Sequence, residues 1–283
     1  MKKITAAALI LLILAAALSG CALFDANPDV TYKEADGEIH ITGYTDKTTI
    51  TEYLIPDTVD GKPVTVIEDF GVCNAESLTK IRIGKNVREI GTWALTNNQH
   101  LAAFEVDPAN EYFTAVDGVL FSKDMKTLYY YPCGRGVEFD HLGMAKTDEN
   151  GNPIVMEYAI PDGVETIREK AFYKCSYVDL TKIPDSVTRI EEKAFHRTSA
   201  LTDVDLPAGL TLIGKDAFAY DEKLENMTIP AAIKEIGEYA FFNCTGMKSI
   251  MVLAKETDVV LGNKWQPTAK GRIMTDCTIT FAE

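Results

Sequence analysis

Imidazole, thiol and carboxylate side chains are the groups in this sequence that could do chemistry, and their spacing decides whether they form a site. The four histidines, His40, His100, His141 and His196, are scattered, and none has a partner at the spacing of a known motif. The sequence has no HExxH zinc motif, no GxSxG nucleophile motif, no phosphate-binding loop and no dinucleotide fingerprint. Carboxylates are abundant, but their abundance does not define an acid–base pair. We therefore predict no catalytic residue, no metal site and no cofactor, and a protein that is not an enzyme.

The cysteine at position 21 has the clearest chemical signature. It follows a positive segment at residues 1–3 and an apolar run at residues 4–18, which together indicate a signal peptide over residues 1–20. The apolar run is too short to span a bilayer comfortably. Leu18-Ser19-Gly20-Cys21 resembles the bacterial lipobox, which implies cleavage before Cys21, a diacylglycerol on its thiol and anchoring by acyl chains such as palmitate. The alternative is a free or disulfide-bonded cysteine after an ordinary signal peptide.

The other five cysteines, an odd number, define no disulfide framework by their spacing. No CxxC pair or Cys–His cluster indicates a metal site. Cys175 and Cys244 occupy the same position of a sequence repeat, three repeats apart, and about 14 Å of stacked strands is too far for a disulfide. We predict that both are small buried residues. The pairing of Cys73, Cys133 and Cys277 stays open.

A repeat of 23 residues must supply the elements that position these groups. Each repeat begins with an Ile-Pro or Leu-Pro pair, continues with apolar residues four and seven positions later, and then has an Ala-Phe pair. A fixed period of this size is typical of a solenoid. The starts are Ile160, Ile183, Leu206 and Ile229, the columns are Val164, Val187, Leu210 and Ile233 and then Ile167, Ile190, Ile213 and Ile236, and the aromatic column is Phe172, Phe195, Phe218 and Phe241.

The repeat predicts one short strand followed by a turn. Residues 201–207 alternate in polarity, and Pro207 ends the strand because it has no N–H for a ladder. Ala-Phe then fills the space behind the strand from a short helical or irregular convex turn, on which His196 is expected to be solvated. One unit cannot bury its apolar face alone, so stacking gives a parallel β-coil with a continuous core, right-handed by the usual chirality of such crossovers.

These columns resemble the leucine-rich repeats of the BspA-like bacterial surface protein family. Cys175 and Cys244 stand where that family often has a cysteine after Ala-Phe. Earlier units are less regular, with Gly84 in place of Pro and Leu95 in place of Phe, but the resemblance covers most of the chain after residue 32. It implies a leucine-rich repeat solenoid with 23-residue units, and adhesion or binding of host proteins and matrix for some members.

We predict a single leucine-rich repeat domain over residues 31–283, preceded by the lipidated cysteine and a short linker over residues 21–30. Residues 31–59 are predicted to cap the first edge of the sheet. Within this cap, the alternating stretches 38–44 and 49–55 look like paired strands.

The period breaks between Val106 and Ile160, and residues 107–157 are predicted to form an insertion. A hairpin over residues 117–132 is expected to protrude, followed by a second turn at Asn150-Gly151, a dipeptide suited to positive φ. The repeat decays after Ile250, so residues 251–283 are predicted to be a C-terminal cap with a last strand over 278–281.

Outward positions on the sheet are candidate binding positions, because solenoids often bind ligands there. Arg82 should neighbour Glu105, and Lys182 should neighbour Asp205, as cross-strand ion pairs. The alternative is a solvated face that only keeps the sheet soluble. Leu180 is an apolar exception: either its strand slips or it contacts the insertion. The candidates are Lys80, Arg82, Glu105, Leu180, Lys182, Asp203, Asp205, Asn226, Thr228, Ser249 and Met251.

Aromatic residues cluster in the insertion. A protruding hairpin with exposed tyrosines would suit protein or glycan contact, since each ring offers apolar area with a polar tip. The alternative is that half of the rings pack on the solenoid flank, which we expect for Phe113 and Phe121. The candidate binding residues of the insertion are Tyr112, Tyr129, Tyr130 and Tyr131.

The net charge of −14 excludes nucleic acid and anionic membrane surfaces as partners. Membrane attachment would then come from the lipid at Cys21 alone. We predict an exported, surface-exposed monomer of the bacterial cell envelope that binds a protein or glycan without transforming it. The alternative is a structural or assembly lipoprotein with a partner inside the envelope, which the short linker favours. A convergent pocket of carboxylates or histidines would favour an enzyme.

Overall fold

The computed structural model describes residues 30–45, 49–180 and 183–283. The predicted signal peptide, Cys21 and most of the linker lie outside the described residues, and so does Lys182 with its predicted pairing to Asp205. The described ranges fold as a β-rich solenoid, which confirms the predicted fold class. No helix within these ranges is long and apolar enough to cross a membrane.

Nearly all regular structure in the described ranges is β-strand, apart from a 3-10 helix at Glu256–Asp258. In chain order the strands are β1 (Val30–Ala35), β2 (Glu38–Tyr44), β3 (Glu52–Ile55), β4 (Thr58–Val59), β5 (Lys62–Ile67), β6 (Lys80–Ile83), β7 (Glu89–Ile90), β8 (Ala103–Val106), β9 (Phe113–Val116), β10 (Val119–Ser122), β11 (Thr127–Tyr130), β12 (Met156–Glu157), β13 (Thr166–Ile167), β14 (Val178–Asp179), β15 (Arg189–Ile190), β16 (Leu212–Ile213), β17 (Asn226–Ile229), β18 (Glu235–Ile236), β19 (Ser249–Val252), β20 (Val260–Leu261), β21 (Thr268–Ala269), β22 (Arg272–Ile273) and β23 (Thr278–Phe281).

The repeat contributes a second strand that the sequence pattern did not predict. In one unit, β17 comes from the alternating stretch, and β18 comes from the apolar column seven residues after the Ile-Pro start. Equivalent strands of neighbouring units pair in parallel and in register, such as Met227 with Ile250 and Ile213 with Ile236. The solenoid therefore has a first wall, containing β3, β6, β8, β17, β19 and β23, and a second wall, containing β13, β15, β16, β18 and β20.

The Ala-Phe turn stacks as regularly as the strands do. The N–H of Phe172 donates to the carbonyl of Ala194 at 2.7 Å, and the N–H of Lys174 donates to the carbonyl of His196 at 2.9 Å. This turn is irregular rather than helical, and its tight path places Lys174 at a φ of 61°.

The phenylalanines of the Ala-Phe column form an inner ladder along the solenoid axis. Ring centroids are 5.1 Å apart for Phe172 and Phe195, 5.2 Å for Phe195 and Phe218, and 5.6 Å for Phe218 and Phe241. All four side chains are fully buried. Burying one such ring contributes about 1.5–3 kcal/mol of hydrophobic stabilisation, so the ladder is a principal source of stability.

A buried column of small polar side chains lies three residues after each ring and bonds neighbouring coils. The Thr198 hydroxyl donates to the carbonyl of Phe172 at 3.0 Å, and the N–H of Thr198 donates to Asp221 Oδ1 at 2.7 Å. The Cys244 thiol donates to the carbonyl of Phe218 at 3.0 Å. These bonds satisfy turn groups that would otherwise be buried without partners.

The two predicted N-terminal strands do not pair with each other, and that prediction is wrong. β2 pairs antiparallel with β1 and parallel with β5, whereas β3 pairs parallel with β6. The two stretches are the two strands of a first coil, so they belong to different sheets. At the other end, β23 occupies the predicted residues Thr278–Phe281 and pairs in parallel with β19.

The hairpin predicted to protrude is instead built into the second wall. β9, β10 and β11 form an antiparallel meander, and β11 pairs in parallel with β13 of the first regular repeat. The part of the insertion that does stand out is residues 138–155, where antiparallel bridges join Phe139 to Ala145 and Thr147 to Pro153. Gly151 has a φ of 80°, as expected for the predicted turn.

A disulfide joins Cys133 to Cys175. The prediction that Cys175 is an unpaired buried residue is therefore wrong, although its side chain is buried. Cys133 follows β11, which lies beside the repeat that carries Cys175, and this proximity depends on how the insertion pairs. Cys244 and Cys277 are free thiols, and Cys244 is buried as predicted.

Candidate binding surfaces

The N-terminal part of the first wall carries a network of paired charges. Lys80 Nζ lies 2.9 Å from Glu105 Oε1, and Arg82 Nε lies 2.9 Å from Glu105 Oε2, which confirms the predicted Arg82–Glu105 pair. Glu52 on β3, which the sequence analysis did not select, lies 3.5 Å from Arg82. The hydrogen bond from Lys80 holds the pKa of Glu105 below its ordinary value. The charges neutralise one another, as expected for a solvated face.

The C-terminal part of the first wall is polar and sparsely charged. The structure places Asp203, Asp205, Asn226 and Thr228 on the exposed surface, as the alternation predicted. The Ser249 hydroxyl donates to Asn226 Oδ1 at 2.8 Å across β17 and β19. Met251 is also exposed, with 47% of its surface accessible. These residues are accessible to a ligand, and their role in binding stays a prediction.

Leu180, Tyr130 and Tyr131 are buried, so their selection as binding residues was wrong. Leu180 is only 1% exposed and is part of the core, at the first position after β14. The Tyr130 hydroxyl donates to the carbonyl of Thr92 at 2.7 Å, and burial raises the pKa of Tyr130. Tyr131 stacks on Phe172 with centroids 5.1 Å apart and extends the inner ladder.

Tyr112 and Tyr129 remain at the surface to different degrees. Tyr112 is 48% exposed. Tyr129 is half-buried beneath the guanidinium of Arg168, whose central carbon lies 4.6 Å from the ring centroid. Phe113 and Phe121 are buried, as predicted.

Four exposed apolar side chains lie in the segment that stands out from the insertion, which we call the apolar loop (residues 138–155). Its root is fixed because Phe139 packs on His100 with ring centroids 4.3 Å apart and on Tyr177 at 6.4 Å. The sequence signal that could have identified this loop is apolar side chains outside any repeat column. Its exposed apolar residues are Leu142 (73%), Met144 (65%), Ile154 (48%) and Val155 (41%).

A row of aromatic rings runs along the outside of the Ala-Phe turns, and sequence analysis missed it. Ring centroids are 6.0 Å apart for Phe70 and Trp93, 5.6 Å for Trp93 and Tyr173, and 5.2 Å for Tyr173 and His196. His196 also lies 5.2 Å from Tyr220. We call this the outer aromatic row. Its members lack a single spacing in the sequence, which is why the repeat did not reveal it.

His196 is part of that row and is not solvated, contrary to the sequence-based expectation. Burial, reinforced by the positive charges of Arg197, Lys193 and Lys174, lowers the pKa of His196 to about 4. Its Nδ1 atom is buried without a hydrogen-bond partner within the described ranges. His196 is therefore neutral at physiological pH and packs as an aromatic ring.

A cavity between the sheet of β2, β5 and β7 and the start of the second wall brings His40, Glu68 and Arg168 together. His40 Nδ1 lies 2.7 Å from Glu68 Oε1, and Lys33 Nζ lies 2.9 Å from the same oxygen. Hydrogen bonds from Lys33 and His40 lower the pKa of Glu68. The carboxylate is thus held ionised, which suits an ion pair rather than proton transfer. The described residues contain no group of three His, Cys, Asp or Glu placed to hold a metal ion.

A second cavity is a polar groove of about 710 Å³ beside the outer aromatic row. It crosses coils on both sides of the insertion, since Asn97 and Lys174 both line it. Arg197 and Tyr220 continue the groove along the next two coils. The sequence analysis selected none of these residues, because they face outward from the turn rather than from a strand.

The sequence matches the BspA type leucine-rich repeat region in six copies over residues 39–126 and 153–260, more than half of the chain. Among solved structures, the pneumococcal vaccine antigen PcpA is similar at 20% identity and a TM-score of 0.58, over 80% of this chain and 59% of that chain. A leucine-rich repeat protein from Eubacterium ventriosum is similar at 16% identity and a TM-score of 0.55, over 89% of this chain and 83% of that chain. This chain spans less than two thirds of the PcpA chain, and at these identities the likeness shows the fold alone. No curated protein matches the sequence.

Proposed function

We propose that this chain, which belongs to the family of BspA-type leucine-rich repeat proteins, is a non-enzymatic, lipid-anchored cell-surface protein that binds a protein partner. Membership of this family supports a role in protein binding or adhesion in general terms. The observation that carries the more specific proposal is the apolar loop, where four large apolar side chains are 41–73% exposed. Exposed apolar side chains grouped in one segment are typical of interaction sites in soluble proteins.

The apolar loop is held in a defined shape before any partner binds. Asp148 Oδ1 accepts hydrogen bonds from the N–H groups of Asn150 and Asn152 at 2.9 and 2.8 Å, which closes the second turn. Lys146 Nζ lies 2.6 Å from Glu138 Oε2 across the first hairpin. A preorganised loop loses little conformational entropy on binding, so its exposed apolar area contributes more fully to affinity.

The sequence before residue 30 supports the proposed anchor. A cleaved signal peptide and a lipidated Cys21 would leave about nine residues before β1, which span at most roughly 30 Å. The folded chain would then sit close to the membrane. More than one acyl chain on Cys21 would make this attachment stable.

Binding by the apolar loop is tested with loop variants of the purified full chain. We expect wild type to bind immobilised fibronectin or laminin in surface plasmon resonance, and Leu142→Ser with Met144→Ser to weaken binding at least about tenfold, since hot-spot residues carry most of the affinity. Ile273→Ser is the matched control, because Ile273 is a 53% exposed apolar residue outside the loop. Absence of binding, or equal binding by the loop variant, would contradict the proposal.

The anchor and the exposed location are tested on intact cells by protease shaving and antibody access. We expect accessible protein in wild type and released or mislocalised protein in Cys21→Ala. Protected but membrane-bound protein would favour the second candidate role, a structural or assembly lipoprotein inside the envelope. The short linker and the neutralised charge network around Glu105 favour that role. Unchanged processing and attachment in Cys21→Ala would contradict the lipid anchor.

A further inference from the structure

The polar groove beside the outer aromatic row is built from one repeated position of the turn. Asn74, Asn97, Lys174, Arg197 and Tyr220 all line the groove, and all have a φ between 59° and 65°. Their side chains therefore line up along the solenoid axis. The groove has a volume of about 710 Å³ and is open to solvent.

The two cations of the groove have no carboxylate partner within the described residues. Lys174 and Arg197 take part in no ion pair between described residues, whereas Lys193, at the start of the turn that carries Arg197, lies 3.2 Å from Asp216. They are adjacent along the stack, and burial and the charge of Arg197 lower the pKa of Lys174. In a chain with 42 acidic and 28 basic residues, two neighbouring unpaired cations leave a local positive site that an anion can occupy.

Aromatic faces border these cations. The Arg197 guanidinium carbon lies 4.7 Å from the centroid of Tyr220, and Lys174 Nζ lies 5.3 Å from the centroid of Tyr173. These contacts hold both cations against the wall of the groove. Tyr220 itself lines the groove and is half-buried, so part of its surface is accessible to a ligand.

The rest of the lining consists of amides, hydroxyls and one carboxylate, and no aliphatic side chain lines this groove within the described part of the chain. Apart from the Tyr220 ring, the lining offers a peptide no apolar side chain to pack against. Hydroxyl-rich ligands instead match amide and hydroxyl side chains, which donate and accept hydrogen bonds. These lining residues are Asn74, Asn97, Gln99, Ser176, Ser199 and Glu222.

We infer that the groove binds a short acidic saccharide, with its carboxylate at Lys174 and Arg197, its hydroxyls at the flanking amides and serines, and its ring beside the accessible part of Tyr220. A long polyanion is disfavoured, because the chain as a whole has a net charge of −14. This inference goes beyond the proposed function and concerns a different surface, so it stands or fails independently of the apolar loop.

The test is calorimetric titration of the purified full chain with sialyllactose and with a hyaluronan tetrasaccharide, using neutral lactose for comparison. We expect at least one acidic saccharide to bind and lactose not to bind, with affinity falling as salt is raised. Lys174→Gln combined with Arg197→Gln should weaken binding at least about tenfold, a change of roughly 1.4 kcal/mol. The matched control is Lys215→Gln combined with Lys248→Gln, which removes the same charge from residues outside the groove.

A second variant keeps the test decisive if the double variant fails to fold. Tyr220→Asn removes the ring but retains a residue type that tolerates positive φ, and we expect it to weaken binding of the acidic saccharide. Thermal unfolding of each variant verifies that it folds. The inference is overturned if neither acidic saccharide binds, if the groove variants bind like wild type, or if a tetraglutamate peptide binds as tightly as the saccharide. Each of those results leaves loop-mediated protein binding untouched.

Discussion

Asp221 is a fully buried carboxyl at a position where neighbouring coils carry Thr198 and Cys244. Its Oδ1 accepts the N–H of Thr198, but its Oδ2 is buried without a partner among the described residues. Burial raises the pKa of Asp221 well above its ordinary value of 3.8. The folded chain therefore favours the neutral acid. The stability that this group contributes is present below pH 3.8 and is lost as pH rises toward the higher folded-state pKa.

Replacing this carboxyl by an amide is expected to stabilise the protein at neutral pH. In Asp221→Asn the amide oxygen can still accept from Thr198, and the amide nitrogen can donate to a turn carbonyl, as Asn98 does to the carbonyl of Leu95 at 3.0 Å. We expect the free energy of unfolding to rise by about 1–3 kcal/mol, the cost of a buried unsatisfied polar group.

The predicted direction of the pH dependence is checked by measuring the free energy of unfolding in urea across the pH range. The stability difference between Asp221→Asn and wild type should grow as pH rises above 3.8 and shrink below it. Asp203→Asn is the control, because Asp203 is exposed and should show no such difference. A variant that is less stable than wild type at pH 8 would contradict the assignment of a neutral buried acid.

At the scale of elements, the insertion is part of the solenoid wall and is tied to it twice. β11 pairs in parallel with β13, and the disulfide joins Cys133 to Cys175 over a sequence separation of 42. The first link aligns the meander with the regular repeats. The second restricts the unfolded chain, because a crosslink that closes a loop of this length lowers its conformational entropy.

Removing the crosslink is expected to destabilise the chain. Cys133→Ser should lower the free energy of unfolding by about 2–4 kcal/mol, measured by urea denaturation without reductant. Cys175→Ser and the double variant should show similar losses, since each removes the same bond. Cys277→Ser is the control, because Cys277 is free and only partly buried. A peptide map of the intact protein without a Cys133–Cys175 crosslink would contradict this expectation.

At the scale of the whole molecule, stability comes from stacking one coil on the next. Such an architecture depends on each coil matching its neighbours rather than on long-range contacts. Deleting residues 206–228 removes one repeat and joins Asp205 to Ile229. Ile229 then takes the position of Leu206, and every later apolar residue keeps its position in the repeat.

We expect this one-repeat deletion to fold with a native β-sheet circular dichroism spectrum and a cooperative thermal transition. Deleting residues 206–222 instead shifts the remaining repeats out of register, which turns apolar columns away from the core. That variant should lose cooperative unfolding. Equal behaviour of the two deletions would show that the period does not govern the fold.

Some candidate binding residues could be placed correctly from the local sequence pattern, and others could not. The Arg82–Glu105 pair was predictable because both residues lie one position before the strand-ending column on adjacent strands. Leu180 was misplaced because the repeat spacing assigns it an outward strand position, whereas β14 ends at Asp179 and the Leu180 side chain is buried. Tyr130 and Tyr131 were misplaced because the sequence does not show that β11 joins a sheet and buries one side of the meander.

The sequence alone determined the stacked architecture and the inner ladder, because a period of 23 residues with fixed apolar columns allows one repeated way to bury them. Only the tertiary structure decided where the insertion pairs, which cysteine Cys175 meets and which side chains form the outer aromatic row. Trp93 and Tyr173 are eighty positions apart in the chain, yet their rings lie 5.6 Å apart. Contacts across the insertion depend on how a non-repeating segment folds against the coils. The spacing of residues in the sequence does not indicate how that segment folds.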